Sequence, residues 1–555
     1  MPKPPSDLRT TNSPLDVHKY SNIQGLQEQA QKHWGLRRLQ PFFPSIEKLF
    51  KMDVRLPHHY GIKTAVPIQT ITGESSVYAG GAETPVHLKK TMLYSAYRVM
   101  HGDYSGTGLP NVGEVATEPL RIQSPYNAAY VGSLASLVLS ESVCAHFPRV
   151  YGVFSGVAER HVLDISDDYE DLCDRPWFSQ NIGHFFELRL RKPEIPVLQF
   201  AEVPTEDIDL GATELDPISP PSTPVIPTNY DADNEGDSIE NDHDHDHDEE
   251  ESTDDCSTDY IFNVRSCSSE DSDDDDDDDD SGDDDHQSVG FSEPEEEEAF
   301  AHAIFKDAPI QVTAMEKCEG TLYKLFKENS DLPKRCAWMA QVIFALAFAQ
   351  RSFGFVHNDL HVMNVMYVPT DKEYFYYGMG GKTYRVPTYG KLIKIIDFDR
   401  ATFSVKLPKM KESKFFISDQ FQQEEEAGGQ YNISPFYNPK YPEVKPNPSF
   451  DLVRLATSMF WDCFPNGPSD NAYSSNPLFK MFMSWLTLPD GKSVLFRDFE
   501  NGDFSERYRG FQLYKAIARY CRDTAVPRKQ IEKFGTPYLF EGKPPAGESS
   551  LFIEP

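Results

Sequence analysis

His357-Asn358-Asp359-Leu360-His361-Val362-Met363-Asn364 follows directly on the most apolar part of the chain. An acid and an amide five positions apart on one loop can divide a reaction between them. Asp359 can accept the proton of an attacking hydroxyl, while Asn364 can turn back to hold a metal ion. Upstream, residues 332–352 are apolar on most faces (Trp338, Met339, Val342, Ile343, Leu346, Ala347), which predicts a buried helix. Downstream, Leu392-Ile393-Lys394-Ile395-Ile396-Asp397-Phe398-Asp399 reads as a buried strand ending in an acid, a second candidate metal ligand.

The spacing H-x-D-x-x-x-x-N with a later Asp-Phe matches the catalytic loop and metal-binding element of eukaryotic-type protein kinases. That pattern demands other elements in a fixed order. A hinge strand should precede the buried helix, and residues 312–322 (VTAMEKCEGTL) supply one. Met315 would be the gatekeeper, and the backbone of Glu316 and Cys318 would pair with adenine. Met366, just past Asn364, joins the nucleotide-binding set. Beyond the Asp-Phe element an Asp should open a buried helix, and Asp451 in SFDLVRLA (449–456) does so.

A nucleotide phosphate also needs a fixed cation. The strand Val86-His87-Leu88-Lys89-Lys90 nominates Lys89, with Lys90 as its rival because Leu88 and Lys90 share a face. Three departures from the pattern stand beside these matches. The phosphate-covering loop, residues 70–78 (TITGESSVY), keeps one glycine, Gly73, with Val77 as the apolar lid on adenine. The helix expected over 126–143 has no acid except Glu141 near its end, so the lysine lacks an evident carboxylate partner. Asp399 replaces the glycine of D-F-G and is expected to face solvent, with metal binding as its alternative.

Composition separates the rest of the chain from one segment. The 555 residues carry a formal net charge of −35, and residues 231–300 hold 33 acids against a single base, Arg265. The remainder is close to neutral, so nucleic-acid binding is not expected. Residues 201–300 are too poor in apolar groups to offset chain entropy and are expected to be a disordered, regulatory insertion, with basic proteins as candidate partners. The alternating HDHDHD tract (243–248) is read as solvated low-complexity sequence. Eight scattered cysteines without a C-x-x-C pair read as reduced thiols. No apolar run is long enough to span a membrane, and a soluble, intracellular protein is expected.

The predicted organisation is α+β: a polar, loosely ordered arm (1–45), the first part of a strand-rich small lobe (46–200), the insertion (201–300), a last strand and hinge (301–318), a helical large lobe (319–535) and a tail (536–555). Residues 374–389 should form an extended hairpin.

The strings HNDLHVMNV (357–365), KLIKIIDFDRA (391–401), NPSFDLVRLA (447–456) and GFQLYKAIAR (510–519), with HFPRVYGVF (146–154), resemble the serine/threonine protein kinases of nucleocytoplasmic large DNA viruses. The D-L-H form also resembles haspin-type kinases and small-molecule kinases of the aminoglycoside phosphotransferase type. The resemblance implies a bilobal kinase fold, ATP with Mg2+, and transfer to Ser/Thr of a protein substrate in host cytoplasm or virion. It makes Asp359 the catalytic base, Lys89 the phosphate-binding lysine, and Asn364 and Asp397 the metal ligands. The alternatives are a nucleotide-binding pseudokinase or scaffold, and a small-molecule kinase.

Overall fold

A computed structural model describes residues 15–41, 60–103, 126–166, 169–190, 301–407, 411–423, 425–498 and 501–553. The acid-rich stretch and its HDHDHD tract lie outside them.

The N-terminal part is built on an antiparallel sheet. Its elements are β1 (Val17–Lys19), α1 (Ile23–Trp34), β2 (Leu36–Gln40), β3 (Tyr60–Ile62), β4 (Ile68–Gly73), β5 (Ser76–Ala79), β6 (Ala82–Met92), α2 (Ala96–His101), α3 (Ala128–Ser140), β7 (Val150–Asp164), α4 (Tyr169–Cys173), α5 (Pro176–Asn181), β8 (Glu187–Leu190) and β9 (Ala301–Glu316). Seven strands run in the order β2-β7-β9-β6-β5-β4, with β8 also pairing β9. Strands β5 and β6 meet in a tight turn at Gly80 and Gly81, where φ of 64° and 86° suits a residue without a side chain. Strand β8 leaves the sheet at Leu190, directly opposite Ala301, where β9 begins.

Each face of this sheet carries a helix. Helix α1 is capped by Asn22, which accepts from the Gly25 N–H at 3.1 Å, and ends on Gly35 in the left-handed region. It buries Ile23, Leu26, Ala30 and Trp34 with Ile68, Val86 and Phe154. The arm expected to be loose is therefore part of the fold over residues 17–40: β1 pairs β3, α1 docks on the sheet, and β2 joins it beside β7. Its apolar residues are few but fall on one helical face, and that face is enough to dock it. On the other side, Asn127 caps α3 through the N–H groups of Ala129 and Tyr130. Ser133 of α3 and Thr313 of β9 share a hydrogen bond of 3.0 Å.

The C-terminal part is mainly helical. It comprises β10 (Gly320–Thr321), α6 (Leu322–Glu328), α7 (Leu332–Phe353), β11 (Val365–Pro369), β12 (Tyr374–Met379), β13 (Lys382–Pro387), β14 (Lys391–Ile395), β15 (Phe403–Val405), β16 (Lys414–Phe416), α8 (Phe450–Cys463), α9 (Pro477–Leu486), β17 (Phe496–Asp498), β18 (Asp503–Glu506), α10 (Phe511–Tyr520), α11 (Pro527–Phe534), β19 (Leu539–Phe540) and β20 (Ser550–Ile553). Helix α7 starts on Asp331 and stops at Gly354, and most of its side chains are buried. Gln341, the polar residue within its apolar run, has a structural use. Its amide donates to the Lys391 carbonyl at 3.2 Å and accepts from the Ile393 N–H at 3.0 Å, which joins α7 to β14.

Strands β10, β11 and β14 form a three-stranded sheet that spans the stretch between the 357–364 loop and Asp397. The hairpin expected over 374–389 is β12–β13, turning at Gly380 and Gly381. The residues assigned to a tail contribute β19 and β20 to its two edges, giving the order β19-β13-β12-β20. The described chain is thus mixed α+β, strand-rich first and helical later. Among the described residues, no helix is long and apolar enough to cross a membrane, and the six described cysteines are unpaired.

Candidate active site

The loop at 357–364 is held by a buried carboxylate. Asp451, in the first turn of α8, accepts from the backbone N–H of His357 and of Asn358, each at 3.0 Å. His357, fully buried, donates from Nε2 to the Ile396 carbonyl at 2.7 Å, while its Nδ1 faces the Asp359 N–H at 3.3 Å. Asn358 adopts φ of 68° and uses its whole amide. It donates to the carbonyls of Val356 and Arg400 and accepts from the Tyr431 hydroxyl at 2.6 Å. Loop and strand end are therefore one hydrogen-bonded unit. Asp397 is also left-handed, with φ of 65°, a conformation that a non-glycine residue keeps only when its surroundings impose it.

The geometry brings together four of the sequence-predicted residues. Asn364 donates from its amide nitrogen to the Asp359 carbonyl and to His361 Nε2, both at 3.0 Å. Its amide oxygen has no hydrogen-bond partner among the described residues. Burial holds His361 below its ordinary imidazole value, although Asp359 pulls the other way, so Nε2 is an acceptor. The Ile396 N–H bonds the Asn364 carbonyl at 3.0 Å, which fixes Asp397 beside Asn364. Phe398 packs against Phe147, Phe355 and His357.

Lys89 reaches this cluster from β6. Its Nζ is 2.5 Å from Asp397 Oδ1 and 2.9 Å from Asp399 Oδ2. Burial alone would lower the lysine, but the two carboxylates outweigh it and raise its value. Burial likewise works to raise Asp397, and the Lys89 charge more than offsets it. Asp399 is raised, by burial first and further by Asp397, against the pull of Lys89. Asp399 thus faces the lysine, not solvent, because Lys89 supplies a cation at contact distance. Strand alternation puts Lys90 on the opposite face.

Along β9, Thr313 and Met315 lie opposite Lys89 and His87 and share their face, so Met315 looks toward the same cluster. The Glu316 N–H is taken by the Arg149 carbonyl at 2.8 Å, and its carboxylate accepts from Lys394 at 2.8 Å. That leaves only the carbonyl of Glu316 for a ligand. The Cys318 backbone makes no hydrogen bond to a described residue. Met366 lies between Val365 and Tyr367, which point into the core, and pairs with Lys394; it is half-buried on the face turned toward Glu316.

Val77 is not brought to this site. It pairs with Thr84, whose face is that of Val86 and Leu88, and it is fully buried with Ile68 and Ile71 on the α1 side. The β5–β6 pairing is regular over Ser76–Ala79, so Val77, opposite Thr84, takes the face opposite to that of Lys89. Residues 74 and 75 form a tight hairpin turn between Gly73 and Ser76. Glu141 is also remote, accepting from the Ala65 N–H at 3.0 Å.

Two groups at the site went unassigned in the sequence. Tyr514 of α10 donates its hydroxyl to Asp359 Oδ1 at 2.7 Å. Arg400 is buried, 3.9 Å from Glu426, and its terminal nitrogens have no hydrogen-bond partner among the described residues. Tyr514 lies in the GFQLYKAIAR string, where no spacing rule links it to Asp359.

No known family profile matches the chain. It is 35% identical over 73 residues to an uncharacterized protein of Caenorhabditis elegans, covering 13% of this chain and 25% of that protein. A probable serine/threonine-protein kinase of Dictyostelium discoideum is 41% identical over 63 residues, 10% of this chain and 5% of that one. The serine/threonine-protein kinase haspin of Mus musculus is 40% identical over 58 residues, 10% of this chain and 8% of that one. The chain spans at most a quarter of the length of these relatives, and its relationship to serine/threonine kinases is a partial one.

Proposed function

We propose that this chain is a divergent serine/threonine protein kinase that uses ATP and Mg2+, its strand-rich and helical parts serving as the two lobes. The observation that carries this reading is the convergence of Lys89, of Asp397, and of Asp359 with Asn364, from three separate segments. The donor set fits the nucleotide and its metal. Asn364 keeps an unused oxygen next to the Asp397 carboxylate, Lys89 is a charged ammonium, and Cys318 offers an unpaired backbone amide. Bound ATP with magnesium would supply the activated phosphoryl group.

In this reading Asp359 orients the acceptor hydroxyl and takes its proton, while Lys89 holds the phosphates and Asn364 and Asp397 hold the metal. The catalysis is positioning and charge stabilisation, as phosphoryl transfer requires. A nucleotide-binding scaffold is the second reading, favoured by the tight hairpin at residues 74–75 in place of a glycine-rich cover. One assay separates the two. Full-length chain with radiolabelled ATP, Mg2+ and generic proteins should place label on Ser or Thr, and Asp359→Asn and Asp397→Ala should abolish it. Equal labelling by wild type and both variants would sink the kinase reading; nucleotide binding without any turnover would favour the scaffold.

A further inference from the structure

Lys89 has two carboxylate neighbours, and the two differ in setting. Asp397 is 45% exposed, whereas Asp399, like Lys89 itself, is 21% exposed. Asp399 Oδ2 is 2.9 Å from Lys89 Nζ and 3.5 Å from Thr91 Oγ1, one step along the same face of β6. Two acids around one ammonium leave an excess negative charge, which a metal ion would balance once it engaged Asp397. Asp399 would then remain as the partner of the lysine.

Helix α3 packs alongside and offers no acid of its own between Ala128 and Ser140. Gly132 of this helix abuts Asp399. A Cβ there would lie 3.0 Å from Asp399 Cα and would overlap the Asp399 carboxylate. Real side chains do not tolerate such an approach, so the glycine keeps open the volume that Asp399 fills. The helix is pinned in place by the bond between Ser133 and Thr313, and Thr313 is the register partner of Lys89. The missing helix acid, the glycine and the extra Asp after Phe398 are thus complementary parts of one arrangement.

We propose that Asp399 is the positioning residue for Lys89, its carboxylate coming from the segment that bears Asp397 and occupying the space left by Gly132. The proposal rests on the kinase reading and deepens it. With the anchor and Asp397 two residues apart on one segment, the lysine is held without any carboxylate from α3. Movement of α3 alone would then not release Lys89, and control of the site would have to act on the segment containing Asp397 and Asp399.

The test uses folded full-length variants and three readouts: the KM for ATP, the KM for a protein acceptor, and the rate at which an amine-acylating reagent labels Lys89, followed by mass spectrometry. Asp399→Asn should raise the KM for ATP about tenfold, as loss of one charge-assisted hydrogen bond implies. The acceptor KM should not change, and Lys89 labelling should speed up. Gly132→Ala should reproduce these effects by displacing Asp399, yet add little in an Asp399→Gly background, where the carboxylate is gone. A folded Asp399→Asn protein with unchanged ATP KM and unchanged Lys89 labelling would overturn the proposal. So would Gly132→Ala being equally harmful with and without Asp399. If wild type turned over no ATP, the kinase reading would fail on its own, while faster Lys89 labelling in Asp399→Asn would still uphold the anchoring role.

Discussion

Tyr514 and Asp359 share a hydrogen bond of 2.7 Å across 155 positions of sequence. Burial, followed by the opposed influences of Arg454 and Asp359, leaves Tyr514 above its ordinary phenol value, so it is a donor at neutral pH. The bond fixes one carboxylate oxygen; in the proposed kinase the other would face the acceptor hydroxyl. Tyr514→Phe should therefore lower kcat about three- to tenfold, within the range for a single hydrogen bond, with an unchanged KM for ATP. Steady-state phosphorylation measures both, and an unaltered kcat would remove Tyr514 from the machinery.

In the proposed kinase, Asp359→Asn would remove the proton acceptor while keeping the shape of the loop. Turnover should fall by about 100-fold or more, the scale of general-base catalysis, while nucleotide binding is retained. Titration calorimetry with ATP and Mg2+ against the kinetic assay separates the two effects. Loss of binding together with turnover would point to a structural role instead.

Asp451 is fully buried and meets two backbone N–H groups at 3.0 Å. Asp451→Ala would leave the donors of His357 and Asn358 without an acceptor, at a cost of about 2–4 kcal/mol. A lower Tm and an inactive protein are expected, with Asp451→Asn milder on both counts. Thermal unfolding by circular dichroism decides this, and an unshifted Tm would contradict it.

His146 and His161 make the fold acid-sensitive. His146 is buried between the Ile393 carbonyl at 2.9 Å and the Tyr377 hydroxyl at 2.7 Å, and burial lowers it to about 4. His161 is lowered to about 4 by burial and then by Lys90. The unfolded imidazole titrates near 6.5, so between about 6.5 and 4 the unfolded chain binds more protons than the folded one. Stability is then fully present above that window and is lost as pH falls through it, by up to about 3 kcal/mol for each histidine. Denaturant unfolding at pH 7.5, 6 and 5 should show the fall, and His146→Gln should flatten its slope. A pH-independent midpoint would contradict the assignment.

How much of this could be read in the sequence depended on distance along the chain. Asp359 and Asn364 sit five residues apart, and Asp397 ends a strand of conspicuous apolarity, so local spacing exposed them. Lys89 and Lys90 could be told apart only by the pairing of β6 with β9, which is a tertiary fact. Val77 was placed on the wrong face because its pairing with Thr84 across the Gly80–Gly81 turn, which sets its parity relative to Lys89, leaves no mark in composition. Residues 17–40 looked polar overall, although Ile23, Leu26, Ala30 and Trp34 already carried the spacing of a docking face. Strands β19 and β20 are two and four residues long, too short for any periodicity to register. Tyr514 and Gly132 act on residues far away in sequence, and no local pattern could announce them.

Leu190 and Ala301 are opposite one another in neighbouring antiparallel strands, so the chain departs from the sheet and rejoins it at a single doorway. A two-residue turn could equally close that junction. The entropy of closing a connection grows with the logarithm of its length, about 0.6 kcal/mol per doubling. By that closure entropy alone, lengthening or shortening the connection would scarcely register in the stability of the strands it joins. Natural variation could therefore rewrite this part of the gene, including nearly all of the molecule's net charge, while the residues around Lys89 and Asp359 stay under separate selection.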